Sequence, residues 1–206
     1  MKTTPPAFAR SKGRPLSFDR DTALQKAMLL FWEHGYEATS LSDLTTALNV
    51  KPSSIYSAFG DKKSLFLEAV ERYLSGPVTS FSLIAEAPSA RDAAWCLLQA
   101  SAMGFTGEHT PRGCLLASSA VSCSDAASDV KAALAAHRQK IEAALRLRIE
   151  DAIASGELAA GADADALAGH TMALIQGMST LARDGANREK LLRVAASGML
   201  AWPSTA

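Results

Sequence analysis

Two short helices around a tight turn are packed into residues 40–59, and no other feature constrains the fold of this chain as strongly. Ser40 is a good N-cap, and Asp43, three positions on, completes a capping-box pattern. Leu44 and Leu48 are four apart and share one face of the first helix. Asn49 can take the left-handed conformation that ends it, and Val50 then points back into the core between the helices. Lys51-Pro52 opens the second helix, where the missing proline N–H costs nothing. Helices this short are unstable alone. They make sense as a helix-turn-helix buttressed by a third helix.

The second helix has a polar outer face. Ile55 and Phe59 point inward, and at about 100° per residue Ser53 and Ser57 fall almost opposite Ile55. Ser54 and Tyr56 flank them. Hydroxyls of this kind suit phosphates and base edges. Burial does not suit them, because each would need a partner. A polar surface on any small helical bundle gives the same pattern, so the surroundings must decide.

Upstream, Asp19 to Glu33 reads as a helix that offers Ala23, Leu24, Ala27 and Phe31 to the core, with Tyr36 or Ala38 beyond it. Gly35 stands where a glycine ends a helix. Residues 1–17 carry Lys2, Arg10, Lys12 and Arg14 and no acid. Such a segment is either a basic arm that reaches DNA or an ordinary frayed terminus. Downstream, Asp61 caps a further helix whose first turn holds Lys62 and Lys63. Cations there oppose the helix dipole, which is understandable beside a phosphate or as a solvated pair. Leu65, Phe66, Ala69, Val70 and Tyr73 continue the apolar stripe.

The run Phe31…Gly35-Tyr36…Thr39-Ser40-Leu41…Leu44…Leu48-Asn49-Val50…Ser54-Ile55-Tyr56…Phe59-Gly60-Asp61-Lys62…Leu65 resembles the N-terminal domain of TetR/AcrR-type transcriptional regulators over roughly residues 14–74. The resemblance implies four helices, with the third reading DNA. Carried over position by position, it makes Lys51, Pro52, Ser53, Ser54, Tyr56 and Lys62 the main DNA contacts. Ser40 and Ser42 become phosphate contacts, with Arg14 reaching from the arm. Ser57 and Ala58 depart from the family pattern, where larger residues are common. Base reading is then sparse, and water or groove shape carries more of the specificity.

Charge and composition narrow the alternatives. Lysine plus arginine and aspartate plus glutamate both number 21, so the chain is not a generic polyanion binder. Residues 1–75 carry a small positive excess and the remainder a matching negative one. The basic N-terminus lacks an apolar core of a leader, and no stretch is apolar enough to span a membrane. Cys96, Cys114 and Cys123 have no metal-ligand spacing, so a reducing cytoplasm is expected and no cofactor or metal. Strand signals are weak, and apolar residues recur at three- and four-residue spacing, so the chain is expected to be all-α. The expected division is a basic arm at 1–17, a helix-turn-helix domain at 18–62, and a helical effector-binding and dimerisation domain at 63–206.

Beyond a break at Gly76-Pro77, with the fourth helix resuming to about Ala85, five further helices are expected. They run from Ser89 to Phe105, from Pro111, from Ser124 or Asp125 to Ala154, from Asp163 to Arg183, and from Asn187 to Trp202. The last two carry wide apolar stripes whose burial a second subunit would naturally supply, although burial within one chain gives the same pattern. Leu167, Leu174, Gly177, Met178, Leu181, Leu191, Ala195, Gly198 and Trp202 are therefore expected at a homodimer interface, which the family resemblance also implies. Trp95, Met103, Phe105, Cys114, His137, His170 and Met172 are candidate lining residues for a largely apolar effector, although plain core gives the same spacing. Cys114, near a helix start and beside Arg112, is either a thiol sensor or a buried structural cysteine.

These features point to a homodimeric DNA-binding repressor, released from a palindromic operator by a small effector. A redox- or electrophile-responsive version would use Cys114. A helical enzyme finds no support in any catalytic motif. An architectural DNA binder would need broad basic charge that the chain lacks.

Overall fold

The computed structural model describes residues 18–121, 124 and 127–203, and among these it contains helices and no strand. In chain order the helices are α1 (Arg20–His34), α2 (Leu41–Leu48), α3 (Pro52–Phe59), α4 (Lys62–Leu74), α5 (Ser80–Glu86), α6 (Ala90–Gly104), α7 (Leu115–Val121), α8 (Ser128–Ala154), α9 (Ala164–Arg183) and α10 (Arg188–Gly198). A 3-10 turn, Met199–Ala201, follows α10. Among the described residues, no helix is long and apolar enough to cross a membrane. Arg14, the basic arm and Cys123 lie outside the described residues.

Local chemistry sets most of the boundaries. Asp19, Ser40, Asp61, Thr79, Ser89, Asp163 and Asn187 each accept a backbone N–H in the first turn of the helix they precede. Ser40 and Asp43 form the full reciprocal box. The fourth helix does not resume after the break. It stops at Leu74, and α5 starts afresh with a capping box between Thr79 and Ser82. The long α8 begins at Ser128 rather than at Ser124, and Asp125 lies outside the described residues.

Three carboxylates at these caps make the N-terminal helices acid-sensitive. Asp19 is held below the usual carboxylate range first by the Thr22 hydroxyl, Asp43 first by the Ser40 hydroxyl, and Asp61 first by the Ser64 backbone N–H. A lowered carboxylate stabilises the fold above its unfolded pKa, and that contribution is lost as pH falls through the folded value. Helix content should therefore decline below about pH 4, the ordinary carboxylate range. Asp43→Asn keeps an acceptor at this position but cannot titrate. Acid titration followed by far-UV circular dichroism should show a shallower loss for this variant.

Two apolar clusters organise the chain. One gathers α1 to α4 around Phe31, Leu44, Ile55, Leu65 and Phe66, and it continues into Leu115 and Leu116 of α7 and Val130 and Leu134 of α8. Phe31 and Phe66 meet edge to face at 5.1 Å between ring centroids. The second cluster gathers α5, α6, the later turns of α8, α9 and α10. The first cluster thus passes residue 63 and binds the helix-turn-helix to the front of the C-terminal bundle.

The packing of α10 divides the residues expected at the interface. Met178, Leu191, Ala195, Gly198 and Trp202 are buried inside their own chain. They pack within the second cluster, because α10 lies against α6 and α9. Gly198 permits this approach, since a Cβ there would collide with Leu174. Leu167, Leu174 and Leu181 are partly exposed and Gly177 is exposed. An open apolar concavity runs along this side of α9 and α10, lined by His170, Ala173, Leu174, Gly177, Leu181 and Val194 with Met178 at its edge.

Candidate nucleic-acid interface

The turn between α2 and α3 is fixed by backbone conformation. Asn49 sits at φ 54°, ψ 49°, and its N–H bonds back to Thr45 and Thr46. Helix α3 begins at Lys51 with no side-chain cap, places Pro52 in its first turn, and ends at Gly60 with φ 85°. Its uncapped N-terminus carries Lys51, a combination suited to a phosphate.

One side of α3 is packed and the other is bare. Ile55 and Phe59 are buried. Ser53 and Ser57 are exposed, Ser54 is half-buried, and Tyr56 is 52% exposed. An aromatic ring left that open on a short helix is not held by the core. Ser42, Lys51 and Pro52 are also exposed and surround this face. Ser40 is exposed too, but its hydroxyl is engaged with Asp43.

Arg20 of α1 holds the rear of α3. Its guanidinium donates to both carboxylate oxygens of Glu68 at 2.7 and 2.8 Å and to the Ala58 carbonyl at 3.3 Å. It also lies 4.5 Å from the centre of the Phe59 ring. Ala58 is in the last turn of α3, where carbonyls lack helical partners. Arg20 therefore fixes the end of the helix whose face is bare. Sequence reading missed this contact, which spans 38 positions.

Lys62 is less available than its place in the α4 first turn implies. Its Nζ lies 4.5 Å from the Tyr36 ring centre and donates to the Glu37 carbonyl at 3.4 Å. Partial burial lowers its pKa, against the raising effect of Glu37 and Asp43. Reaching a phosphate requires it to leave this seat. Lys63 is also tied down, to Asp129 of α8 at 2.7 Å.

A second set of contacts joins this unit to the C-terminal bundle. The buried Trp32 Nε1–H donates to the Gly113 carbonyl at 3.0 Å. Arg183 of α9 donates to the carbonyls of Trp32 at 3.2 Å and Glu33 at 2.7 Å, at the end of α1. Arg112 donates to the Ala186 carbonyl at 3.0 Å and to that of Ala182 at 3.4 Å. Its charge is thereby committed to the end of α9 rather than to Cys114. The Cys114 N–H donates to the Ser179 hydroxyl at 2.8 Å.

Beside this junction lies a partly open cavity of about 110 Å³, lined by Tyr73, Leu97, Phe105, Cys114, Arg138 and Met172 among others. The expected residues Phe105, Cys114 and Met172 meet here. His137 instead lines an adjoining outer hollow and pairs with Glu71 at 3.4 Å. Trp95 packs against the second cluster away from both. Met103 is 56% exposed near the end of α6. His170 faces the α9–α10 concavity, with Nε2 3.0 Å from the Gly198 carbonyl. Tyr73 donates its hydroxyl to the Cys114 sulfur at 3.6 Å and packs edge to face on Trp32 at 4.9 Å. Burial pushes its phenol well above the ordinary range. Tyr73 thus links the cavity to Trp32 of α1.

Comparison with known proteins agrees with this layout. Residues 23–69 match the family profile described as bacterial regulatory proteins, tetR family, and residues 95–197 match the tetracyclin repressor-like C-terminal domain. The chain is 37% identical over 196 residues to the HTH-type transcriptional repressor ComR of Escherichia coli (strain K12), covering 94% of this chain and 93% of ComR. A solved structure of a cysteine mutant of the TetR family regulator CifR, complexed with 26bp double-strand operator DNA, superposes with a TM-score of 0.87. It is 41% identical and covers 93% of this chain and 100% of that one. A TetR transcriptional regulator from Rhodococcus sp. RHA1 is 36% identical with a TM-score of 0.62, covering 89% and 99%.

Proposed function

The chain belongs to the TetR family of DNA-binding transcriptional regulators, and from that premise we propose that it is a cytoplasmic homodimeric repressor, released from a palindromic operator by a small, largely apolar effector. The observation that carries this reading is the bare Ser53–Tyr56–Ser57 face of α3, braced from behind by Arg20. The CifR structure holds operator DNA on a closely similar chain. Pro52, Ser53, Ser54 and Tyr56 make the groove contacts, and Ser40, Ser42, Lys51 and Lys62 serve phosphates, with Arg14 reaching from the arm. Because Lys62 must leave the Tyr36 ring to do so, its share is smaller than that of Lys51.

The α9–α10 concavity is the surface for a second copy, with Leu167, Leu174, Gly177 and Leu181 from the expected set still able to meet it. Residues 18–62 form the reading unit, and residues 63–206 carry the effector cavity and the dimer surface. A dimer sets the spacing of its two α3 helices, which must approximate one DNA turn, about 34–36 Å. An effector releases DNA by binding better to a dimer whose spacing does not fit. Tyr73 and Trp32 supply the route, since one lines the cavity and the other is bonded to Gly113.

Selection of duplexes from a random pool tests the reading. The recovered sequences should share two inverted half-sites about one helical turn apart, and affinity should fall steeply with added salt as counterions are released. Recovery of no common sequence, or binding indifferent to salt, would refute the proposal.

A second reading has its own observation. The Cys114 sulfur lines the cavity and accepts the Tyr73 hydroxyl, so alkylation there would disturb the same route. On this reading Cys114→Ser keeps operator binding but loses release by iodoacetamide.

A further inference from the structure

An arginine stands where the periodicity of α8 calls for an apolar residue. Leu134, Ile141 and Leu145 are buried on one side of this helix, and Arg138 falls on the same stripe, four residues after Leu134 and three before Ile141. Arg138 lines the inner cavity, and its Nη1 donates a bond to the Leu116 carbonyl at 3.0 Å. Among the described residues, no carboxylate lies within ion-pair distance of it. No aspartate or glutamate lines the inner cavity, whose other walls are mostly apolar. A guanidinium has five N–H donors in a planar fork. A partly desolvated cation with spare donors is costly to keep without a counter-charge.

The approach to this cation is built in the same sense. The outer hollow, about 300 Å³, shares Leu74, Ser80 and Ile141 with the inner cavity and is also lined by Lys140, His137 and Glu71. Glu71 is the acid of this mouth, and it is engaged with His137. Lys140 and Arg138 outnumber this one acid along the path from solvent to the inner cavity.

The geometry points to a small monocarboxylate as the effector, its carboxylate on Arg138 and its apolar tail among Leu97, Phe105, Met172 and Ile175. This assignment rests on the reading of the C-terminal part as the effector-binding region, and gives that effector a chemical class. A carboxylate matches the guanidinium fork with two parallel bonds. A dianionic phosphate would want a second inner cation, and an amine would meet like charge. Size is limited too: the inner volume is about 110 Å³, while an apolar cavity of roughly 150 Å³ takes a benzene ring. The effector is then a single ring or a short chain, extending toward the mouth. Binding also draws the guanidinium away from Leu116 of α7, which directly follows the segment that holds Trp32 through Gly113.

Purified full chain should be titrated calorimetrically with hexanoate, hexan-1-ol and hexylammonium, and with benzoate and benzyl alcohol, at neutral pH and fixed salt. In at least one set the acid should bind about tenfold or more tighter than its alcohol, as expected for a charge-assisted pair, and hexylammonium should not bind. Arg138→Gln should remove the preference for acid over alcohol, while Arg138→Lys should keep part of it. Circular dichroism confirms that the variants fold, and the wild-type series stands without them. Equal binding of acid and alcohol in both sets, no binding by any compound, or an undiminished preference in folded Arg138→Gln overturns the assignment. Operator binding is read separately: an acid that binds through Arg138 yet never displaces the selected duplex establishes the carboxylate site and overturns its role in release.

Discussion

Gly113→Ala is expected to cost about 2–4 kcal/mol of stability, the sum of a left-handed backbone conformation and an overpacked contact. Gly113 sits at φ 80°, and a Cβ there would lie 2.9 Å from both the Ser179 carbonyl oxygen and the Arg183 Cγ. A backbone oxygen cannot move aside cheaply, so the loop must shift. The shift removes the Gly113 carbonyl from Trp32 Nε1, leaving a buried N–H without its partner. It also disturbs Arg183, which holds the end of α1. For a chain of this size the melting temperature should fall by roughly 5–15 °C. Gly104 is the matched control, because a methyl added there would meet nothing within 4 Å and its φ is not positive. Gly104→Ala should be neutral or slightly stabilising. Thermal and urea unfolding of the two variants decide the matter: if Gly113→Ala unfolds like Gly104→Ala, the loop is not a strained joint between the two halves.

This joint shows why some features can be read from sequence and others cannot. Ser40, Asp43, Asn49, Pro52 and Gly60 act on backbone groups within a few positions of themselves, so their chemistry announces the helices they bound. The all-helical architecture follows from the same local signals. Exposure of Ser53, Tyr56 and Ser57 follows from the angular spacing of one short helix. By contrast, Trp32 meets Gly113 across 81 positions, and Arg183 meets Trp32 across 151. No periodicity encodes such meetings. The last helix was legible only in part, for a related reason. Its wide apolar surface suggested a partner subunit, but α6 covers much of it within the same chain. The cavity was half legible. Phe105, Cys114 and Met172 share it, whereas Met103, one residue after the buried Ala102, turns outward to solvent. Arg138 carried a signal that went unread, since a charged residue on the Leu134–Ile141–Leu145 stripe interrupts an otherwise apolar face.

Tyr56→Ala separates folding from DNA reading most sharply. The side chain is 52% exposed, and Gly60 bonds to the Tyr56 backbone carbonyl, which alanine retains. Stability should therefore change by no more than about 0.5 kcal/mol, as at other exposed sites. Affinity for the selected duplex should fall by about 1–3 kcal/mol, or roughly 5- to 150-fold, if the ring and hydroxyl meet the groove. Tyr56→Phe divides this loss between hydroxyl and ring. Lys51→Ala provides the electrostatic contrast: it should weaken binding to all duplexes alike and reduce the slope of log affinity against log salt by about one. Tyr56→Ala should leave that slope unchanged, because no charge is removed. Fluorescence anisotropy across a salt series measures both quantities. A folded Tyr56→Ala protein that holds the selected duplex as tightly as its parent would mean that DNA does not contact this face of α3.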